Sequence, residues 1–344
     1  MPQASPSPRG TGQTHRVQRC AAGRGAQSGA ALLTAMIIVT LVAALAAGMV
    51  WQQYRAVQIE AADRARAQAV WVLQGALDWA RLILKSDARG IDHLGEFWAT
   101  PLAESRLSTF LAADPSTASA DDGPEAFLSG FIEDAQSRYN LRALVAGATV
   151  DPLEERTLQR LCGQVNAPPG TAAVIIDGLR AAFPTPASGA SAPASAPAST
   201  PAASSGPLQP AGLDQLAWLG LDADTIKRLQ PYVVLLPKAT PVNLNTAPRE
   251  VIAALFDNMN LAAAERLVQG RKAKPLQNTA DAAAFLPTNV QIGSGRASVD
   301  SSFFIVTGRL RLDERQLEQR SLVERQGSNT LVLARERVSQ LLDR

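Results

Sequence analysis

With 344 residues, 46% hydrophobic and 19% charged, the chain has room for one or two folded domains besides a membrane anchor. Its formal net charge of +2 gives no global signal for nucleic acid or an anionic surface. Only two cysteines (Cys20, Cys162) and two histidines (His15, His93) occur, which leaves little basis for a His-based triad, a multi-His metal site or an internal disulfide once the N-terminal leader is set aside.

Residues 1–29 form a basic leader with Arg9, Arg16, Arg19 and Arg24 and no acid. Residues 30–51, AALLTAMIIVTLVAALAAGMVW, carry no charge. As a helix they are about 33 Å long, enough to span a bilayer core of roughly 30 Å. Three readings compete. A removed secretory signal would be cut near residues 44–48, but its apolar run is ordinarily shorter. An uncleaved signal anchor keeps the whole segment. Cleavage at Gly29, before the apolar run, keeps the helix in the mature protein. In the last two cases the basic leader, followed after the span by Glu60 and Asp63, predicts a cytoplasmic N-terminus and an exported body.

The helix is expected to continue without proline to about Ser86, since Ala, Arg, Gln and Leu dominate. Val57, Ala61, Ala65, Val72, Ala76, Trp79 and Ile83 recur at helical spacing and are read as one buried face. Such a face needs a partner surface. A sheet supplies it in this reading. Residues 127–144 alternate through Leu128, Gly130 and Ile132, turn at residues 133–137, and resume at Tyr139 and Leu141. Residues 303–312, 317–325 and 330–335 read as three antiparallel strands joined by Asp313-Glu314 and Gly327-Ser328-Asn329.

Between the sheet pieces, residues 154–165, 171–182, 213–219, 225–229, 249–256, 262–271 and 279–285 read as short helices. Asp224-Thr225, and Thr246 ahead of Pro248, are the cap candidates. Residues 184–210 contain Ala, Ser, Pro and Gly without charge and read as a flexible insertion. A helical domain spliced into one sheet is the simplest arrangement; two independent domains are the alternative, with a meagre second sheet.

The residues also bear on two rival functions. Residues 242–286 are similar to a helix-hairpin-helix module, but the break reads Asp257-Asn258-Met259-Asn260 in place of the glycine turn that meets phosphate. Arg266, Arg271, Lys272 and Lys274 are offset by Asp257, Glu265 and Asp281, which favours an architectural module over a competence-type membrane DNA receptor. For an enzyme, the glycine loop at Ile292-Gly293-Ser294-Gly295-Arg296 lacks a leading strand and the Lys-Ser/Thr of a P-loop, and reads as a mobile connection.

Five segments carry a family resemblance: SGAALLTAMII at the leader junction, EFWATPL at 96–102, GFIEDAQSRYNLRAL at 130–144, VNLNTAPREVIAAL at 242–255 and SSFFIVTGRLRL at 301–312. Through them the chain resembles the K-type minor pseudopilins of the bacterial type II secretion system (general secretion pathway protein K). The resemblance implies an α+β, type IV pilin-like fold, with a long N-terminal transmembrane helix packed on an antiparallel sheet and a large inserted α-helical domain. It divides the chain into leader 1–29, membrane helix 30–51, pilin-like helix and first strands 52–144, helical domain 145–299 and C-terminal strands 300–344. It implies cleavage by prepilin peptidase between Gly29 and Ala30, with N-methylation of Ala30. Thr34 stands where most pilin-like proteins have Glu, a departure that fits K-type members. The implied partners are I- and J-type minor pseudopilins, the major pseudopilin, prepilin peptidase and the inner-membrane assembly platform, with secreted exoproteins as cargo and no nucleic acid. The implied role is tip capping and initiation of a periplasmic filament, without catalysis. Calcium sites occur in some relatives, but no cofactor or metal site is assigned; Asp121 and Asp122 read as an exposed loop.

Overall fold

The computed structural model describes residues 28–87, 90–108, 126–145, 150–183, 208–287, 290, 295–312 and 315–341. The leader up to Gln27, Asp121 and Asp122, residues 184–207 of the Ala/Ser/Pro insertion, residues 291–294 and the Asp313-Glu314 turn lie outside them. The chain forms two compact units, residues 1–67 and 68–344, and the division falls inside helix α1 (Ser28–Ser86). The sheet and the short helices therefore lie together in one unit.

In the first unit, α1 carries a window of mean hydropathy 2.5, and the helix is long and apolar enough to cross a membrane. The large apolar side chains of its first part, Leu33, Ile38 and Leu45 among them, are exposed, which fits a membrane anchor.

In the second unit five strands form one antiparallel sheet in the order β1-β2-β7-β8-β9. They are β1 (Leu102–Arg106), β2 (Ala126–Asp134), β7 (Phe303–Leu312), β8 (Arg315–Gln326) and β9 (Asn329–Leu341). β2 and β7, far apart in sequence, pair along nine residues from Ala126↔Leu312 to Asp134↔Phe304. Everything from Ala135 to Ser302 is thus an excursion from a single ladder. The three C-terminal strands form where the alternation places them, β7 with the bounds read and β8 and β9 longer, and Gly327 (φ +54°) makes the tight β8–β9 turn.

The C-terminal part of α1 packs on one face of this sheet, but through a neighbouring stripe. Ala69, Leu73, Leu77, Ala80 and Leu84 are buried at spacings of four, four, three and four. Leu73 meets Leu128 and Leu310, while Leu77, Ala80 and Leu84 join Trp98, Phe304 and Val306. Val72, Ala76 and Ile83 are half-buried flanks, whereas Val57 (64% exposed) and Trp79 (39% exposed) lie off the packed face. The small-residue bias of the first stripe reflects helix propensity, and the leucines of its neighbour carry the burial. Two facing glycines allow close approaches, Gly130 to the neighbouring strand and Gly308 to the helix. A Cβ at Gly130 would lie 2.7 Å from the Thr307 carbonyl oxygen, and one at its partner Gly308 would lie 3.2 Å from Leu73.

The excursion is mainly helical. It contains α2 (Pro152–Gln164), α3 (Thr171–Ala182), α4 (Ala223–Leu229), α5 (Arg249–Leu255) and α6 (Leu261–Ala273), with single 3-10 segments at Leu213–Leu219 and Thr279–Ala284. Two short parallel pairs, β3 (Tyr139–Asn140) with β4 (Val233–Val234) and β5 (Val242–Asn243) with β6 (Ala297–Ser298), tie its ends. Tyr139 and Leu141 do not resume the main sheet. After Asp134 the chain turns through a 3-10 segment (Ala135–Ser137), and Tyr139, Leu141 and Leu144 enter the helical core with Leu158, Ile175 and Val251. Alternation over so short a stretch cannot distinguish one sheet from another. The caps also differ from expectation: Asp222 caps α4 by accepting from the Thr225 amide at 3.4 Å, and Thr246 turns inward while Pro248 precedes α5. Cys162 is buried, and burial pushes its thiol up to about 11.

Candidate functional site: the leader junction and the buried polar junction

α1 begins at Ser28, so Gly29 and Ala30 stand in its first turn. Thr34, one turn on, donates its hydroxyl to the carbonyls of Ala30 and Ala31, both at 3.0 Å. The polar group of that turn is satisfied within its own helix.

The second site is where the chain leaves the sheet and comes back. Asp134, the last residue of β2, is fully enclosed. One carboxylate oxygen accepts the Gln136 amide at 2.8 Å and so caps the 3-10 turn. The other accepts from the Thr246 hydroxyl, the Ser301 hydroxyl at 2.7 Å and the Asn243 amide at 3.0 Å. Burial nevertheless pushes its pKa up to about 6, against the opposing pull of those four donors. Asn243 also donates to the Asp92 carbonyl, and its own oxygen accepts the Asn245 amide at 2.9 Å. Asn245 in turn clasps the backbone of Leu276 in both directions at 2.9 Å.

A buried ion pair closes the junction. Arg325 of β8 donates to both oxygens of Asp92 at 2.7 and 2.6 Å, to Asp87 at 3.1 Å and to the Ser301 carbonyl at 2.8 Å. Its guanidinium lies 5.0 Å from the Phe304 ring centroid. Asp92, wholly buried, has its pKa raised by desolvation, with Arg325 opposing. The Gln136 side chain donates to the Pro241 carbonyl at 3.2 Å and accepts the Ser302 amide at 2.7 Å.

Three of the segments that carry the resemblance, EDAQS, NLNTA and SSFF, thus meet in one network that pins the helical excursion to the end of the β2/β7 ladder. Composition and spacing did not announce this, because the partners are 109 and 167 positions apart. Asp92 and Arg325 were missed outright, and the only trace of Asp92 in the sequence is an acid near Gly90.

Carboxylate oxygens of Asp87, Asp92 and Glu96 lie within 4.8 Å of one another. Arg325 already supplies the positive charge to the first two, and Glu96 accepts from the His93 amide at 2.9 Å and the Trp98 indole at 2.6 Å. The three carboxylates are thus already bonded to fixed donors.

The hairpin-like module is built into its surroundings. Asp257 forms ion pairs with Arg156 at 3.3 Å and with Arg160, both from α2. Arg271 is buried and donates to the Leu244 carbonyl, with burial pulling its pKa down to about 10. Of the glycine loop, residues 292–294 lie outside the described residues; at its described end Arg296 donates to Glu154 at 2.7 Å, to the Leu255 carbonyl at 2.9 Å and to Thr157 at 2.5 Å. Tyr139 donates to the other oxygen of Glu154 at 2.9 Å, which links β3, α2 and α5.

Comparison with known proteins gives one consistent answer. Two family models, both described as type II secretion system, protein K, match residues 137–238 and 242–299. The type II secretion system protein K of Pseudomonas aeruginosa is 28% identical over 334 residues, covering 91% of this chain and 93% of that protein. The protein of the same name from Pectobacterium carotovorum is 27% identical over 338 residues, 91% of this chain and 97% of its own. A crystal structure of the GspK-GspI-GspJ complex from the enterotoxigenic Escherichia coli type 2 secretion system contains a chain with a TM-score of 0.58 and 21% identity. That match covers 80% of this chain and 98% of the other and shows the shared fold, pilin-like with a helical insert. All of these comparisons liken the chain to type II secretion system protein K, the K-type minor pseudopilins.

Proposed function

We propose that this chain caps the tip of the periplasmic pseudopilus, with I- and J-type minor pseudopilins as its immediate partners, and helps to initiate the filament that drives folded exoproteins outward. The observation that carries the reading is the local bonding of Thr34. An acid in that turn would be costly in lipid unless paired, most naturally with the terminal amine of a subunit ahead. A helix whose polar group closes on itself has no such need, as suits a subunit with nothing above it. The helical excursion adds bulk: about 150 residues in a compact body have a radius of gyration near 15 Å, enough to obstruct another subunit above the sheet.

Prepilin peptidase would cut between Gly29 and Ala30 and leave Ala30 methylated, with the N-terminus on the cytoplasmic side of the inner membrane and the body in the periplasm. The named complex of the structural relative supports I- and J-type partners here. The packed hairpin module, with Arg271 enclosed and Asp257 paired, supports an architectural role over nucleic-acid binding. No catalytic step is assigned, and the chain's task is mechanical. Co-expression with I- and J-type partners tests the partner choice: a discrete complex containing one copy of each supports it, and independent migration of this chain rejects it.

A further inference from the structure

The two edges of the five-stranded sheet are finished differently. β1 has five residues and breaks register between Leu102 and Ser105, as a blunted edge does. β9 has thirteen residues and no proline, with β8 as its one strand neighbour among the described residues, and after a single bulge at Leu333 it pairs without a break from Ala334 to Leu341. Residues 334–338 are exposed although their backbone is paired to β8. A long unpaired edge is a template for another strand.

The side chains on β9 decide what can add. Arg335 and Arg337 stand opposite Ser321 and Gln319, whose side chains face α1, so both arginines lie on that side of the sheet. Glu336, opposite Arg320, lies on the other side. Arg337 uses its Nε on Gln319 at 2.9 Å. Asp78 of α1, whose carboxyl Gln74 and Arg81 hold below its usual value with Arg335 adding to the effect, is already bonded to Gln74 and Arg81. Glu318 is likewise taken by Arg309 and Arg320. Like charges directly opposite across a ladder are destabilising. A second copy added antiparallel about Glu336 would set Arg335 against Arg337 and Glu336 against itself.

We propose that the free edge of β9 is a strand-addition site for a partner protein whose own edge strand reads acidic–basic–acidic, and that the Arg335-Glu336-Arg337 run selects this partner over a second copy of the chain. The two acids would face Arg335 and Arg337 on the α1 side, and the basic residue would face Glu336 on the other.

The test uses full-length protein in detergent micelles and two blocked peptides, Thr-Val-Glu-Lys-Glu-Val-Thr and its charge-swapped form Thr-Val-Lys-Glu-Lys-Val-Thr. Amide exchange across β9 is read by mass spectrometry. The first peptide is expected to slow exchange over residues 333–338 by about five- to tenfold relative to the second, the scale of three cross-strand charge pairs. The triple variant R335E/E336K/R337E should reverse the preference. If that variant fails to fold, the two peptides on the unaltered protein still decide the matter. Equal protection by both peptides, or none by either, overturns the proposal, as does protection that appears without peptide and grows with protein concentration.

Discussion

Asp134 accepts four hydrogen bonds in a place water does not reach, and its acidity follows from that conflict. Its folded pKa of about 6 lies above the ordinary 3.8, so the folded state holds the proton more tightly than the unfolded state. Stability from this group is therefore fully present below about pH 4 and is lost as pH rises through about 6. A difference of two units corresponds to roughly 3 kcal/mol. Denaturant unfolding of the full-length protein between pH 4 and 7 should show that decline, and Asp134→Asn should remove it. An unchanged pH profile in the variant would reject the assignment. Arg325 presents the opposite case, since its loss leaves the buried Asp92 charge unpaired. Arg325→Met should cost about 3–5 kcal/mol, and adding Asp92→Asn should recover part of it. Equal stability of the single and double variants would mean that the pair is not coupled. Such residues stand out poorly in a sequence: Asp134, Asn243 and Ser301 were visible as a resemblance, but their bonding depends on a fold that brings distant segments together.

α1 and β7 were legible because each keeps one period over ten residues, and β8 and β9 because short turns bound them. The choice of buried stripe on α1 was not, since neighbouring stripes on an alanine-rich helix differ by one position. Leu73→Ala should destabilise the second unit by about 2–5 kcal/mol, whereas Val57→Ala, on an exposed position, should change it by less than about 0.5 kcal/mol. Comparable losses at both positions would restore the stripe through Val57. Gly130→Ala offers a third check at this scale. Its new methyl would crowd the Thr307 backbone, which cannot rotate away as a side chain can, so a loss of about 1–3 kcal/mol is expected by the same unfolding measurement. β1 went unread because five residues with a register break carry no usable alternation. The turn of the chain at Asp134 was misread for a related reason: two residues of β3 suffice to join a second, parallel pair.

Over the whole molecule, one ladder, β2 on β7, holds both ends of a long helical excursion, and the polar junction fixes that excursion to the sheet. This arrangement was legible in outline, since strands at both ends of the body with helices between them admit few topologies. Processing is testable at the same scale. The mature protein should begin at Ala30, and Gly29→Leu should leave full-length precursor in the membrane, as read by intact mass. A start near Ala47, or retention of Met1 in functional protein, would contradict it. The central claim is the tip position, and copy number along the filament tests it most directly. Epitope-labelled chain in cross-linked, purified pseudopili, imaged by immunogold, should appear at one end only, at one or very few copies per filament. Uniform labelling along the shaft would contradict the account.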